Sequence, residues 1–589
     1  MIAKNGTVEV FIASAREALR AGNYLLCYDI VDQARQLGVH DRRLEYVSLL
    51  ALANAGSTEF AWRRYQLLGL REDEIDEDWL ALQGRLLKDL ALVGGATEDF
   101  RRSAQAYVAA FNRTGGYFTG INAATMFLLG GDPVRAQELA REVLVRAAAA
   151  RPAGDSERYY LLVSEAEAAL LLGDVRRCRQ ALASAEPLER RDSNARSRTR
   201  KQLRMVCRHL GIREDVARDL SLPALLYIGT ADEIRVSPGG GYGPPARLAG
   251  PAIADVDGAR TFAALLQPAD LCAAEHFAAQ GARLHLVLPT DPEQMVATWR
   301  HEYGEGWAGR LSRFLDEVTD TAVAQGFLEH EQRWASRYVG AIAMGMAQLT
   351  AQQMGTPCRQ IEVARSARSD GDNANLELRD VAAGTLPAAP NLQAAPPERE
   401  LGTQRRFVGL LFADIAGFRR LRDAEMPRFW SQVMGGIGLV IAAFGDKVLF
   451  KHTWGDAVNV ITEDAATAAE VAQAIRDCID EVRRSETGTL AEIELRMSCH
   501  FAPAFAGFDP IEHVPTFYGS QLSLAARIEP VTPPGMIFVT EAFAACLSLE
   551  APGRYALEYA GEVELAKRFG KTRLFGLLPA DRHGWHEPV

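Results

Sequence analysis

Paired cysteines are missing from this chain. Its eight cysteines (Cys27, Cys178, Cys207, Cys272, Cys358, Cys478, Cys499 and Cys546) are scattered, and no two have the spacing of a zinc knuckle or a redox dithiol. Isolated thiols suit a reducing compartment. Long uncharged apolar runs are missing too: none reaches the roughly 18 residues that suggest a membrane-spanning helix. Gly436 to Phe444 is too short to span, and the N-terminus has no apolar signal-peptide core. These absences predict a cytoplasmic protein with no membrane insertion. Positive charge is in deficit, with a net charge of −11. So acidic a chain is not suited to coating nucleic acid, and no nucleic-acid partner is expected.

What is present is enough for several cores. At 589 residues and 48% apolar content, the chain is too long for one domain. Residues 1–211 read as successive helices, with apolar residues recurring at three- and four-residue steps. Short breaks fall at Gly22-Asn23, Gly56-Ser57, Gly130-Gly131-Asp132 and Gly173-Asp174. Ala15 to Leu19, Ala123 to Leu129 and Ala166 to Leu172 each precede such a turn. Ala136, Leu139 and Ala140, then Cys178, Leu182 and Ala183, mark the second helices of the last two pairs. Small residues alternating with large ones on adjacent helices are what stacked helical hairpins require. The pattern resembles tetratricopeptide-type repeats and implies a regulatory or interaction domain, able to hold a protein partner or an oligomer contact.

Residues 222–383 predict a small α/β domain. Leu222 to Thr230 and Ala282 to Pro289 read as buried strands, and Ala259 to Leu266 and Leu271 to Gln280 as helices. Strand ends in such sheets often carry ligands, so Gly229, Thr230 and Pro289 to Thr290 mark a candidate site, with ordinary loop residues as the alternative. Gly239 to Gly243 has no lysine in phosphate-loop register and is given no nucleotide role. Residues 384–404, rich in proline and alanine, predict an exposed linker.

The chemistry lies in residues 405–581. An apolar strand, Phe407 to Phe412, runs into Ala413-Asp414-Ile415-Ala416-Gly417-Phe418. A carboxylate there, beside the backbone N–H groups of Ile415 to Phe418 and a helix start, can hold phosphate oxygens through those groups. A helix from Asp423 to about Phe444 is predicted next. Asp446 to Ile461 then reads as a hairpin turning at Gly455-Asp456. If that hairpin pairs beside the first strand, Asp414 and Asp456 converge into a site for two hard divalent ions.

In this order and spacing the two motifs resemble the catalytic domain of class III adenylyl and guanylyl cyclases. The likeness continues through Gly519 to Glu529, Pro534 to Thr540 and Lys567 to Leu577. It implies a ferredoxin-like α/β fold whose catalytic sites form at a head-to-tail homodimer interface. It implies a nucleoside triphosphate substrate, ATP ahead of GTP, and two Mg²⁺ or Mn²⁺ ions. Asp414 and Asp456, with Ile415, match the metal-binding positions, Arg527 the transition-state arginine and Lys567 the phosphate-binding lysine. Three positions depart from or only partly fit the pattern. His452 stands where adenylyl cyclases place a base-reading lysine, Thr516 occupies the partner base-reading position, and Ser523 replaces the transition-state asparagine. Two alternatives stay open: a guanylate cyclase, and a silent nucleotide-binding scaffold. Residues 1–383 also resemble regions adjoining TRAF-binding segments of stress-signalling kinases, best around Tyr117 to Ala124.

Overall fold

The computed structural model describes residues 2–20, 24–54, 58–70, 76–94, 97–188, 193–222, 224–230, 247–249, 256, 258–318, 320–324, 332–354, 356–365, 376–381, 392, 404–511, 513–565 and 570–579. The candidate turns at Gly22-Asn23 and Gly56-Ser57, the Gly239 to Gly243 segment, all of the 384–404 linker but Leu392 and Gln404, and Lys567 lie outside the described residues. The chain forms two compact units, one centred on residues 1–222 and the other on residues 223–557 with 564–577.

The first unit is built of helices, from α1 (Ile2–Arg20) to α11 (Ser193–Leu210). Two antiparallel pairs show the predicted logic: α7 (Tyr117–Leu129) with α8 (Pro133–Ala149), and α9 (Asp155–Leu171) with α10 (Val175–Ala185). Gly131 and Gly173 turn the chain at φ +79° in both. The next residues, Asp132 and Asp174, then cap the following helix by accepting from the Arg135 and Arg177 N–H groups. Close approach needs glycine at Gly120, where a Cβ would stand 2.7 Å from Phe111 and Val143. Ala136, Leu139, Ala140, Cys178 and Leu182 are buried as expected. Ala183 is exposed instead; the buried small residues of its helix are Ala181 and Ala185, one turn apart.

The second unit holds two sheets. In the first, β1 (Leu225–Thr230), β3 (Arg260–Ala264), β4 (Arg283–Leu288), β5 (Thr321–Val323) and β6 (Cys358–Arg365) run parallel. The short β2 (Arg247–Ala249) and β7 (Leu376–Val381) complete the order β2-β7-β6-β1-β3-β4-β5. The predicted helix at Ala259 to Leu266 is therefore the strand β3. A strand covered on both faces loses the apolar–polar alternation that would identify it. The sheet is packed by α12 (Pro268–Ala279), α13 (Pro292–Glu302), α14 (Glu305–Glu317) and the long α15 (Gln332–Met354).

The second sheet is antiparallel at its centre. β8 (Gln404–Ala416) lies between β10 (Ala457–Thr462) and β11 (Glu494–Phe508). β9 (Val448–Trp454) pairs with β10, and β12 (Pro515–Tyr518) with the end of β11. β13 (Ile537–Thr540) runs parallel to β11, followed by β14 (Tyr555–Leu565) and β15 (Gly570–Pro579) at that edge. The predicted helix at Asp423 begins only at α16 (Met426–Arg428), since Asp423 to Glu425 is a turn. It continues through a π-turn, Phe429–Met434, into α17 (Gly435–Ala442). One sheet face is covered by α18 (Ala465–Ser485) and α20 (Glu541–Glu550), the other by the short α19 (Ser520–Ala525).

The two sheets of this unit are joined through α15, which packs on the first sheet and crosses α20. At the crossing a Cβ on Gly345 would lie 2.1 Å from the Ala545 carbonyl oxygen, so only glycine fits. The Tyr338 hydroxyl donates to the Phe501 carbonyl, and its ring sits 5.0 Å from Phe407. Beside this lies a charged cluster. His285 Nδ1 is 2.9 Å from Asp320 Oδ1, and Nε2 is 3.0 Å from Glu541 Oε1 as an ion pair outside hydrogen-bond angles. Arg573 donates to Asp320 and to Glu541. Its Nη1 also lies 3.1 Å from His285 Nδ1. With the imidazole protonated, Nδ1 donates to Asp320 and the Arg573 contact is proximity only.

Burial opposes charging His285, but the carboxylates of Glu541 and Asp320 outweigh it and lift its pKa to about 9. Burial would raise Asp320, but His285 and Arg573 hold it at about 2; Glu541 is likewise lowered against its burial, chiefly by His285. Arg260, on β3, also acts on this cluster, and Arg283 acts on Arg260. The sign follows from linkage. A raised histidine contributes fully below its ordinary 6.5, and that contribution is lost as pH climbs through 9. The lowered carboxylates contribute above their ordinary 3.8 and 4.5, and lose that contribution as pH falls. Stability measured by thermal unfolding should therefore decline between pH 6.5 and 9. His285→Gln should lower the melting temperature at pH 6 and flatten that decline; an unchanged slope would show that the cluster adds nothing.

Candidate active site

The site is built from the alternation of β8. Val408, Leu410 and Phe412 face the cluster formed with Ile461, Ala504 and Ala525 of α19, and Asp414 continues that face beyond them. The strand ends at Ala416, and Gly417 takes a left-handed turn at φ +98° into a short turn at Phe418–Arg420. Gly455 turns the β9–β10 hairpin at φ +64°, and the register Val458↔Ala413 brings the hairpin's Asp456 to the end of β8. Asp414 and Asp456 meet within hydrogen-bonding reach. Burial first, and then the Asp414 charge, raise the Asp456 pKa; its own backbone N–H and Arg419 oppose this.

A third carboxylate, not picked out from the sequence, joins them. Glu529 lies two residues beyond Arg527 and is lifted to about 7, by burial first and then by Asp414, with Arg496 opposing. Arg496 is paired with Asp414 across the β8–β11 ladder. The only sequence signal of Glu529 is its position at the end of the Gly519 to Glu529 stretch. Three carboxylates with little cationic compensation are the hard-oxygen donor set that divalent cations neutralise. Among the described residues, no group of three or more His, Cys, Asp or Glu forms a ready-made metal cage.

The other expected residues occupy separate elements. Ile415 is buried, while Ala416, Gly417 and Phe418 are half-buried beside Asp414. His452 is exposed on β9, its ring 6.3 Å from Phe450, and lies opposite Asn459. Thr516 is half-buried on β12 opposite Gly507, and β12 neighbours β9. Ser523 is exposed on α19, and Arg527, just past it, donates back to the Ser523 carbonyl.

Below α19 lies a second group that sequence reading missed. The buried His500 ring is 2.9 Å from Gln521 Oε1 through Nε2 and 2.8 Å from Thr540 Oγ1 through Nδ1. Burial lowers its pKa to about 4 against the Gln521 bond, so the ring is neutral. The Gln521 carbonyl oxygen can only accept, so Nε2 carries the proton and Nδ1 accepts from the Thr540 hydroxyl. Ser498 Oγ donates to the Ala525 carbonyl at 3.1 Å, a second tie to the same helix.

Residues 403–578 match the family model described as the adenylate and guanylate cyclase catalytic domain. This carboxy-terminal domain is a class III cyclase-like domain. Residues 23–127 match the tetratricopeptide repeats-sensor family. The cyclase-like domain is thus preceded by a tetratricopeptide-like helical region and a middle α/β segment. Solved structures similar to the chain include the adenylyl cyclase CyaB from P. aeruginosa. It is 18% identical over 30% of this chain and 96% of its own, with a TM-score of 0.27. The guanylate cyclase domain of RhGC from Catenaria anguillulae, in complex with GTP, is 19% identical over 29% and 96%, with a TM-score of 0.25. A non-canonical dimeric guanylyl cyclase domain of RhoGC from Blastocladiella emersonii is 20% identical over 30% and 98%, also at 0.25. No curated protein matches the chain. Among the described residues of the cyclase-like domain and elsewhere, no helix is long and apolar enough to cross a membrane.

If the His500 bond anchors α19, Gln521→Leu leaves a buried imidazole N–H without its acceptor. The expected loss is about 1–3 kcal/mol, read as a lower urea midpoint at unchanged slope. An unmoved midpoint would mean that another contact holds the helix.

Proposed function

We propose that this chain is a nucleotidyl cyclase that converts ATP to 3′,5′-cyclic AMP and pyrophosphate, with residues 405–581 as the catalytic domain and residues 1–211 and 222–383 as regulatory domains. The observation that carries this is the meeting of Asp414 and Asp456 at the end of β8, with Asp456 raised by burial and by its neighbour. Two carboxylates held in that relation, which Arg419 and Arg496 offset only in part, suit a pair of divalent ions, Mg²⁺ or Mn²⁺, and would hold them together with Ile415. Such ions, when bound, lower the cost of deprotonating a ribose hydroxyl and screen the phosphates. The chain's own groups orient and stabilise. Backbone N–H groups of Ala416 to Phe418 receive phosphate oxygens. The ribose 3′-oxygen bonds to the α-phosphorus, the bond from that phosphorus to the β-bridging oxygen breaks, and the hydroxyl proton passes to solvent. Arg527 and Lys567 offset the negative charge that grows on the nonbridging and leaving oxygens. His452 and Thr516, on neighbouring strands, read the base edge.

The second part of the proposal is a homodimer in which each site takes Asp414 and Asp456 from one chain and Arg527 and Lys567 from the other. Its support is that large apolar side chains are left exposed on the hairpins. Trp454 is 87% exposed and Ile511 86%, with Phe508 and Tyr518 nearby in sequence. In the cell we place the enzyme in the cytoplasm.

Three outcomes test these statements. ATP should give a higher kcat/KM than GTP, CTP or UTP with Mn²⁺ or Mg²⁺; a higher value for GTP would assign the guanylate alternative, and no product from any would assign the silent scaffold. Ser523→Asn should raise kcat with little change in KM, because the restored contact acts mainly in the transition state; a change in KM alone would place that side chain in ground-state binding. Asp456→Ala and Lys567→Ala should each be nearly inactive alone. In a mixed dimer one composite site carries both lesions and the other neither, so equal mixing should recover about one quarter of the wild-type rate. Activity no higher than the two backgrounds, once native mass spectrometry shows heterodimers, would place all four residues within one chain.

A further inference from the structure

We propose that the middle α/β domain positions the helix that carries Ser523 and leads into Arg527, through a clamp of His285 and Asp320 on Glu541 and Arg573 that continues through Thr540, His500 and Gln521 into α19. This rests on the cyclase reading for its consequence in catalysis, but its structural part stands by itself.

The two halves of the route meet at consecutive residues. Thr540 ends β13 and faces the same side of the sheet as His500, which lies opposite Leu410 of β8. Glu541, the next residue, opens α20 and turns to the other side, where it meets His285 and Arg573. The Thr540 hydroxyl has two tasks: it accepts from the Phe543 N–H at 3.2 Å, capping α20, and donates to His500. A shift of α20 therefore cannot leave that hydroxyl in place for both partners. His500 in turn donates to Gln521, the second residue of α19. Every polar group along the way is buried except Asp320 and Arg573, which are partly so. Buried hydrogen-bonded groups strongly favour moving together, because parting them leaves a donor or acceptor unpaired.

The middle domain grips the same helix at a second place. The Gly345–Ala545 crossing leaves no room for any side chain, so α15 and α20 are fixed closely at mid-helix while the ion cluster fixes the N-terminal end of α20. Two points of attachment define the axis of a helix. A change in the middle domain, whatever its stimulus, would be felt as a movement of Thr540. Nothing in the chemistry of nucleotide cyclisation requires His285 or Asp320; their placement is accounted for by this grip.

The test uses the full-length chain and hydrogen exchange measured by mass spectrometry, alongside steady-state kinetics with MnATP. His285→Gln removes the ion pairs from the middle-domain side, and Thr540→Val keeps the side-chain shape while removing both hydroxyl bonds. Each should raise exchange across Ser520 to Arg527 and lower kcat roughly two- to thirtyfold, with KM for ATP within about twofold. Thr540→Ser should restore wild-type exchange and rate. The double variant should be no worse than Thr540→Val alone, as for steps in series. Arg300→Ala, which breaks an exposed pair with Glu305 in the same domain, should change neither. Should His285→Gln fail to fold, Asp320→Asn makes the same comparison at a partly exposed position. Faster exchange confined to α20, with Ser520 to Arg527 unchanged, would overturn the proposal and leave only a docking contact. Absence of product from the wild-type protein would defeat the cyclase reading, and exchange across Ser520 to Arg527 would still decide the route.

Discussion

The alternation of side chains along β8 is the constraint on which the rest of this unit depends. Odd-numbered residues turn to the helical face, where Phe407 meets Tyr338 and Gly409 lies so close to α18 that a Cβ would be 2.9 Å from Ala468. Even-numbered residues turn to the opposite face, where Val408 and Leu410 pack with Ala525 and the strand ends in Asp414. One strand thus carries the packing that fixes it and the carboxylate that it presents. A one-residue slip against β11 would exchange the two faces, burying Asp414 and exposing Phe407. The thirteen-residue ladder from Gln404 to Ala416 against β11 resists such a slip.

The electrostatics of the site follow from that placement. Asp456 comes to Asp414 through the hairpin, and Glu529 through the turn after α19, so three elements deliver like charges to one place. The result is a raised Asp456 and a Glu529 lifted to about 7. Burial is the larger cause of both shifts and mutual repulsion the second.

Local motifs were legible in the sequence, and distant meetings were not. Gly455-Asp456 announces its hairpin, because left-handed backbone is needed there and glycine supplies it. Asp132 and Asp174 announce their helices by capping them. The strand β3 was misread as helix because Arg260 to Ala264 is covered on both faces, and its small apolar residues carry no period of two. Ala183 was assigned to the core from its neighbours, although the helical repeat places Ala181 and Ala185 there. Glu529 escaped notice because its meeting with Asp414 depends on how a turn packs against a strand over a hundred residues earlier. His285 and Arg573 are 288 positions apart, and neither stands in a motif.

The same contrast bears on how a domain can be attached to a catalytic core. The residues that resemble a cyclase are read from local patterns, since the chemistry demands particular groups at particular turns. The residues that join the middle domain are ordinary ones in ordinary elements, distinguished only by being brought together. Glu541 begins a helix, as acidic residues often do, yet here it is also paired with a buried histidine lifted to about 9. Thr540 is an ordinary cap, yet its second bond reaches His500. Where the helix-capping role alone would be satisfied by serine, threonine, aspartate or asparagine, the additional bond to a neutral imidazole nitrogen requires a side chain that also donates. That excludes aspartate, and makes the cap part of a network rather than of one helix. The junction is therefore specified by the requirement that two adjacent residues serve opposite faces of one sheet at once.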